Sequence, residues 1–296
     1  VVTIGMPVYN GEQTIRQSLD SVFAQTFADF ELIISDNAST DETETICMEY
    51  AKKDPRIIYQ RQPVNIGAPK NFKHTLAQAR GNFFIWWSVD DTRSVDFLEL
   101  NVSFLEKRKD YVAATSPNYM EGQTGDKKNL VTFSMVGEVE KRFRSFFDHC
   151  WQSHGIFYSL IRTDSLRACT EIGADYFGVD WSVDLFLASS GKVGRVDSGL
   201  AVFGSKGMSS KLNPWADYRH RPIHWIMPFF EFSRYAYRLA SGFSWGARIR
   251  LVARLFKLNA VSAIFQLLAA CKDLIVLVNA RLGEFVSRRV SIRWIK

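Results

Sequence analysis

Closely spaced cysteine residues are missing from this chain. Four cysteines and five histidines are spread over 296 residues. The short spacings of a structural zinc site and the dense pattern of a disulfide framework are therefore both absent. We expect free thiols and a protein of a reducing compartment such as the cytoplasm. The cysteines are Cys47, Cys150, Cys169 and Cys271.

Glycine-rich phosphate-binding loops are absent as well. No predicted strand is followed by the G-x-G-x-x-G pattern or by the G-x-x-x-x-G-K-[ST] pattern. These loops bind the phosphates of dinucleotides and nucleoside triphosphates through backbone N–H groups. Their absence argues against a dehydrogenase, an ATPase and a sugar-nucleotide pyrophosphorylase.

Acidic residues become scarce toward the C-terminus. Residues 1–204 contain 21 Lys and Arg against 27 Asp and Glu, whereas residues 205–296 contain 16 against 4. The two parts carry formal charges of −6 and +12 within a net charge of +6. A change of this size predicts a domain boundary near residue 210 and a basic segment that favours anionic partners.

The basic segment lacks an uncharged run that is long enough to span a bilayer. Its longest such run, Leu258–Cys271, is shorter than the stretch of about 20 apolar residues that a membrane-spanning helix needs. One hypothesis is an interfacial helix on the anionic inner face of the plasma membrane. The other is an ordinary helical subdomain or a homodimer contact. Nucleic acid is not an expected partner, because the aromatic residues lie among aliphatic ones.

Apolar strands alternate with amphipathic helices through the first half of the chain. The predicted strands lie at 2–6, 30–35, 56–59 and 83–87, and the predicted helices at 12–23, 69–79 and 95–107. This alternation predicts an α/β fold with a mostly parallel sheet and helices on both faces. The continuous apolar run at 83–87 is typical of a strand that is buried on both sides.

Polar residues follow three of these strands where each strand ends. They are Tyr9-Asn10, Asp36 and Asp90-Asp91. Because the carboxyl ends of parallel strands meet at one edge of the sheet, we expect these side chains to line a common crevice. Adjacent carboxylates repel each other unless a cation lies nearby, which predicts Mg or Mn at Asp90 and Asp91. The alternative is that they cap the next helix.

Four motifs stand in order along the same region. They are Ile4-Gly5-Met6-Pro7-Val8-Tyr9-Asn10, Ser35-Asp36-Asn37-Ala38-Ser39-Thr40-Asp41, Asn65-Ile66-Gly67 and Ser88-Val89-Asp90-Asp91. Together they resemble family-2 glycosyltransferases, in the Trp-x-x-x-Asp-Asp variant of the family's D-x-D motif. The resemblance implies a Rossmann-like GT-A fold at 1–210, with a nucleotide-binding half (1–115) and an acceptor-side half (116–210). Residues 211–296 would form a C-terminal helical appendage.

The resemblance also implies where the nucleotide-diphosphosugar donor binds. The residues implied are Pro7, Tyr9, Asn10, Asp36, Asn65, Gly67, Asn71, Ser88, Val89 and Lys206. Tyr9 would pack near the base and Asp36 would hydrogen-bond it, while Lys206 is the candidate diphosphate contact. Ser88 departs from the family pattern, because an aspartate that touches the ribose usually stands there.

Asp90 falls on the family's metal-binding position, which implies a divalent cation, Mn or Mg. Asp91 is implied either as a second group of the metal site or as the cap of the helix at 95–107. The residues alone leave both roles open.

Asp180 follows Gly178-Val179 at the start of a predicted helix. An acidic residue in a first helical turn is favourable for the helix dipole, which is the structural explanation for it. The family resemblance instead implies that Asp180 is the catalytic base, although Val179 replaces the usual glutamate. His154 is a candidate for the acceptor cleft or for a structural role.

The implied function is an inverting, metal-dependent sugar transfer to a glycan or lipid-linked acceptor, in the assembly of cell-surface polysaccharide or glycolipid. The enzyme would be cytoplasmic or peripheral on the membrane. Ser88 and Val179 support a rival hypothesis, a catalytically decayed protein of the same fold that docks on membranes or partners. A basic nucleic-acid-binding protein is a further alternative, and its affinity would fall steeply with salt.

Overall fold

The computed structural model describes residues 1–122, 132–151, 155–204 and 215–292, with side chains described up to residue 272. The strands are β1 (Val2–Val8), β2 (Phe30–Asp36), β3 (Ile57–Arg61), β4 (Phe83–Trp86), β5 (Thr92–Arg93), β6 (Tyr111–Thr115), β7 (Asn118–Met120), β8 (Leu160–Arg162), β9 (Lys192–Arg195) and β10 (Ala201–Phe203). The α-helices are α1 (Ile15–Phe23), α2 (Thr43–Lys53), α3 (Ala68–Ala77), α4 (Phe97–Lys107), α5 (Val139–His149), α6 (Thr163–Arg167), α7 (Val179–Ser190), α8 (Ile223–Ile226), α9 (Phe230–Leu239) and α10 (Trp245–Ile292).

Seven strands form the central sheet in the order β3-β2-β1-β4-β8-β6-β9. Every pairing in it is parallel except those of β8, which runs antiparallel to both β4 and β6. A second sheet, β5-β10-β7, has three short strands. The predicted α/β class and mostly parallel sheet are therefore confirmed.

Strand β4 is buried on both faces, as its continuous apolar run predicts. Phe84 and Trp86 pack into one hydrophobic core, whereas Phe83, Ile85 and the following Trp87 pack into the other. All five side chains are buried. Alternate residues thus anchor helix layers on opposite sides of the sheet. The chain leaves β4 from a rigid position, directly before Asp90 and Asp91.

Some predicted elements are shorter in the structure. Two further apolar runs that favour strands, 154–162 and 130–136, are strands only in part: the first is confined to β8, and the second appears, among the described residues, only as a single bridge between Met135 and Val193. Helix α4 begins at Phe97 with Asp96 as its N-cap residue, rather than at Val95.

The helices after residue 215 pack into the core that lies on one face of the sheet. Phe229, Phe232 and Leu251 belong to the same buried cluster as Phe146 and Val183 of the preceding helices. The stretch Trp245–Lys272 is also long and apolar enough to cross a membrane, and 33% of its most apolar window is buried inside the protein. The predicted boundary at residue 211 remains a prediction.

Candidate active site

The loops that follow β1 and β2 are joined by reciprocal hydrogen bonds. The Asn10 backbone N–H donates to Ser39 Oγ at 2.9 Å, and Asn10 Oδ1 accepts from the Thr40 N–H at 2.8 Å. Asn10 has a φ of +51°, a left-handed conformation that asparagine tolerates better than most residues. The structure therefore brings the first two motifs together at one edge of the sheet. Tyr9 lies on this edge with 50% of its surface exposed.

Asp36 is fully buried at the end of β2. Its Oδ1 accepts the Ser39 N–H at 2.8 Å, and its Oδ2 accepts from the Tyr59 hydroxyl at 2.8 Å and from Arg61 at 3.0 Å. Burial, followed by the bond to Asp36, raises the pKa of the Tyr59 phenol. The carboxylate thus holds the β2 loop against β3. Its predicted hydrogen bond to a base stays a prediction.

A hydrogen-bonded turn connects the β2 loop to α3. Asn65 Oδ1 accepts from the Asn37 side chain and from the Gly67 N–H, each at 2.9 Å. Gly67 has a φ of +83° at the start of α3, which favours glycine. Asn71 is buried, and its amide bonds the Ser35 hydroxyl at 2.6 Å and carbonyl at 2.8 Å. Asn65 and Gly67 are exposed beside the loop, while Asn71 positions its backbone.

The turn after β4 presents Asp90. The Ser88 hydroxyl donates to Asp90 Oδ1 at 2.5 Å and so orients the carboxylate. Gly204, which follows β10, lies against the other oxygen, because a Cβ added at Gly204 would stand 2.3 Å from Asp90 Oδ2. The backbone of a distant segment therefore closes one side of this turn. Ser88, whose predicted partner is the donor ribose, binds Asp90 in this structure.

Asp91 points into the protein and is 3% exposed. Its Oδ1 accepts the Gly204 N–H at 3.1 Å, whereas its Oδ2 has no hydrogen-bond partner among the described residues. Burial raises the pKa of Asp91 to about 7, and the charge of Asp90 adds to the rise, against the opposing charge of Arg93. The alternative that Asp91 caps α4 is wrong, because Asp96 occupies the N-cap position.

Arg93 is a buried cation behind the two aspartates. Its guanidinium lies 4.1 Å from the Trp87 ring and donates to the Trp86 carbonyl at 3.1 Å. Burial lowers the pKa of Arg93 to about 10, and the charge of Asp91 offsets part of that shift. Buried Asp and Arg in one pocket reduce the cost of holding each charge away from water.

The Tyr158 phenol is influenced both by the Asp90-Asp91 pair and by Asp180. The charges of Asp91, Asp180 and Asp90, in decreasing order and after the larger effect of burial, raise the pKa of its phenol. All three carboxylates therefore lie within electrostatic reach of one hydroxyl. Asp180 is exposed at the second position of α7. Asp180, the predicted base, and Asp90, the predicted metal-binding residue, therefore both act on the Tyr158 hydroxyl through their charges.

The residues at this turn fit a hard divalent cation. Asp90 and Asp91 supply carboxylate oxygens, one of which is buried and without a partner among the described residues. In the part of the chain that the structure describes, no group of three or more His, Cys, Asp or Glu side chains could hold a metal without further ligands. A cation here would therefore need oxygens from water or from a ligand, which suits Mg or Mn beside a diphosphate.

Two predicted residues, Lys206 and His154, lie outside the described part of the chain. Conversely, sequence reasoning missed Arg93, Tyr158 and Gly204. Their positions depend on contacts between distant segments, such as the bond from the Gly204 N–H to Asp91. A local pattern carries no signal for such contacts.

Residues 3–164 match the family described as "Glycosyl transferase family 2". The matched region covers more than half of the chain and includes all four motifs. The chain belongs to this family. The transferase class that the motifs imply is thereby confirmed, and the match ends before Asp180.

Relatives of this family member include two larger bacterial proteins. The glycosyltransferase GlyA of Streptococcus pneumoniae is 26% identical over 58% of this chain and 23% of its own length. The minor teichoic acid biosynthesis protein GgaB of Bacillus subtilis is 29% identical over 55% of this chain and 18% of its own length. The chain thus spans about a fifth of the length of these two relatives.

Solved structures support the GT-A fold. The Staphylococcus aureus TarS fragment 1–349 superposes with a TM-score of 0.57 at 18% identity, over 88% of this chain and 79% of that one. The mannosyltransferase PcManGT of Pyrobaculum calidifontis, in complex with GDP-Man and Mn2+, gives a TM-score of 0.55 at 16% identity. It covers 92% of this chain and 86% of that one. At these identities the likeness concerns the fold.

Proposed function

We propose that this family-2 member transfers a sugar, with inversion, from a nucleotide-diphosphosugar to an acceptor hydroxyl. The observation that supports the proposal is that the charges of Asp90, Asp91 and Asp180 all act on the Tyr158 phenol. The turn that carries Asp90 also lies beside the loop after β1, because a Cβ added at Gly11 would stand 3.4 Å from Val89. A donor nucleotide on the loops after β1 and β2 would direct its diphosphate toward Asp90. Asp180 would then face the same cleft from α7.

In the proposed step, the hydroxyl oxygen of the acceptor forms a bond to the anomeric carbon of the sugar. Asp180 accepts the proton of that hydroxyl as the bond forms. The bond between that carbon and the diphosphate oxygen breaks, and its electron pair leaves with the nucleoside diphosphate. Attack opposite the leaving group inverts the anomeric configuration. Asp180 is exposed at the start of α7, where an acceptor can reach it.

Asp90 and Asp91 would hold the divalent cation, Mn or Mg. The ion, when bound, would neutralise negative charge on the leaving diphosphate. Ser88 would keep the Asp90 carboxylate in position through its 2.5 Å hydrogen bond. A cation near Asp91 would also supply the partner that its buried oxygen lacks within the described residues.

The acceptor would be a glycan or a lipid-linked saccharide in the assembly of cell-surface polysaccharide or glycolipid, which a relative named for minor teichoic acid biosynthesis supports. Structural neighbours in complex with UDP-GlcNAc or GDP-Man support a nucleotide-sugar as the donor. The basic segment beyond residue 204 is consistent with an enzyme that works at the inner face of an anionic membrane.

Nucleotide binding tests the proposal most directly. Thermal melting is measured with UDP, GDP, CDP or dTDP, each with and without Mn²⁺, because a ligand that binds the native state raises the Tm. We expect one nucleotide to raise the Tm of the wild type only with Mn²⁺. Asp90→Ala should abolish this shift, whereas Asp180→Asn should retain it and lose transfer of the sugar. Asp164→Ala, at a fully exposed position on α6, is the matched control.

If no nucleotide shifts the wild type when Mn²⁺ is present, the proposed activity is wrong. The docking-protein hypothesis would then explain the chain better. An unchanged shift in Asp90→Ala would instead place the metal elsewhere.

A further inference from the structure

Aromatic rings surround the first turn of α7, where Asp180 lies. The Trp181 ring stacks on Phe229 with centroids 5.0 Å apart and planes at 13°. Phe177, which precedes the turn, contacts the same Phe229 ring at 4.8 Å. Gly178 has a φ of +85°, and a Cβ there would stand 2.8 Å from Phe229. The turn that carries Asp180 is therefore held rigidly against a ring of the C-terminal segment.

Trp151 extends this cluster to the surface. It follows α5, and its ring meets Trp181 edge to face at 5.2 Å and 89°. It also contacts Phe229 at 6.2 Å, yet 52% of its surface remains exposed. A large aromatic ring that is held by its neighbours and half in contact with water is typical of a binding surface.

A second pair of rings packs against Phe177 of this cluster. Tyr218 ends a short 3₁₀ helix (Ala216–Tyr218), and Trp215 directly precedes that helix. Their rings contact Phe177 at centroid distances of 5.9 Å for Tyr218 and 5.6 Å for Trp215. Burial raises the pKa of Tyr218 to about 12, with further contributions from the charges of Asp175 and Asp180. Through Phe177, Trp215 and Tyr218 are therefore joined to the rings that pack beside the turn of Asp180.

We propose that Trp151, Trp215 and Tyr218 form a saccharide subsite that presents an acceptor hydroxyl to Asp180. The C–H groups of a pyranose ring carry partial positive charge and pack on the electron-rich face of an aromatic ring. The role of this subsite as an acceptor site rests on the proposed transfer function.

The charges near these rings favour a neutral sugar over an anionic lipid headgroup. Asp175 and Asp217 are exposed, and both contribute to the raised pKa of Tyr218. Carboxylates accept hydrogen bonds from sugar hydroxyls, whereas they repel a phosphate. The longest series of exposed apolar residues, which would suit a membrane, lies instead along α10.

Binding of simple glycosides tests this subsite. The probes are the methyl β-glycosides of glucose, galactose and N-acetylglucosamine, and of their β1,4-linked disaccharides, measured by saturation-transfer NMR and titration. We expect at least one probe to bind the wild type, and Trp151→Ala to weaken it about tenfold or more, which corresponds to the loss of one aromatic contact. Trp151→Tyr, which keeps a ring, should retain most of the affinity. Trp245→Ala removes another exposed tryptophan, on α10, and should have no effect.

The nucleotide-induced shift in Tm separates this proposal from the proposed function. We expect Trp151→Ala to keep the wild-type shift with nucleotide and Mn²⁺. The subsite is overturned if Trp151→Ala binds the glycosides as well as the wild type does, or if no probe binds the wild type. It is also overturned if the variant loses the nucleotide shift or the binding of anionic vesicles instead. Glycoside binding through Trp151 without any nucleotide shift would leave the subsite standing and remove the transferase activity.

Discussion

At the scale of single residues, the candidate site depends on groups that restrain the carboxylates of the proposed metal site. Ser88 donates to Asp90, and the Gly204 N–H donates to Asp91. Ser88 departs from the family's aspartate, but its short hydrogen bond gives it a defined task in orienting Asp90. Gly204 has no side chain, which lets its backbone approach both carboxylates.

Gly204→Ala should weaken both the stability of the fold and the proposed metal site. A Cβ at this position would stand 2.3 Å from Asp90 Oδ2 and 2.5 Å from Asp90 Cβ, so the aspartate must move. We expect a loss of about 1–3 kcal/mol in the free energy of unfolding. The Mn²⁺-dependent nucleotide shift in Tm should fall strongly. Gly242→Ala, where an added Cβ meets nothing within 4 Å, is the control.

Urea denaturation and the nucleotide panel measure these two effects. A Gly204→Ala protein with the full nucleotide shift would show that Asp90 can move without loss of metal binding.

At the scale of elements, α10 has two unlike faces. Leu251, Leu255 and Leu258 are buried in the core. The opposite face carries large apolar side chains exposed to water, which recur at intervals of three and four residues. They are Trp245, Ile249, Val252 and Phe256. A stripe of this kind on a basic helix is typical of an interfacial membrane contact and also of a helix-to-helix contact.

Sedimentation with vesicles distinguishes these two uses of the α10 stripe. We expect the wild type to bind vesicles that contain phosphatidylglycerol more strongly than vesicles of phosphatidylcholine alone, because the basic segment attracts anionic lipid. The double variant Ile249→Ser with Phe256→Ser should lose most of this binding. Val64→Ser changes an exposed apolar residue that is far from α10 in the sequence, and this variant should bind the vesicles as the wild type does.

Analytical ultracentrifugation of the wild type and the double variant tests whether the stripe is a homodimer contact instead. If the wild type is a dimer that the double variant dissociates, while vesicle binding is unchanged, the stripe is a homodimer contact.

At the scale of the whole molecule, the C-terminal helices complete the catalytic domain's core. Phe229 of this segment supports the turn before Asp180 through Gly178 and Trp181. Phe232 contacts Phe146 and Phe147 of α5 at 6.1 and 6.2 Å. The change in composition near residue 210 therefore does not coincide with a gap in hydrophobic packing.

Phe232→Ala tests whether the chain unfolds as one unit. Phe232 is fully buried, and removing a buried phenylalanine costs about 3–5 kcal/mol. We expect the nucleotide-stabilised transition itself to move to lower temperature in differential scanning calorimetry. Phe256→Ala, at a position that is 74% exposed on α10, should leave it unchanged.

A second transition that moves alone, while the nucleotide-stabilised one stays in place, would show that residues 211–296 fold as a separate domain.

The sequence by itself determined the alternation of strands and helices in the first half and the positions of the four motifs along it. It did so because periodicity and turn chemistry are local properties, and because the apolar run of β4 leads directly into Asp90. Only the tertiary structure decided that Asp91 is buried against Gly204 rather than capping α4, and that Trp151, Trp181 and Phe229 meet beside Asp180. These contacts join residues that are far apart along the chain, and their geometry follows from packing the whole core.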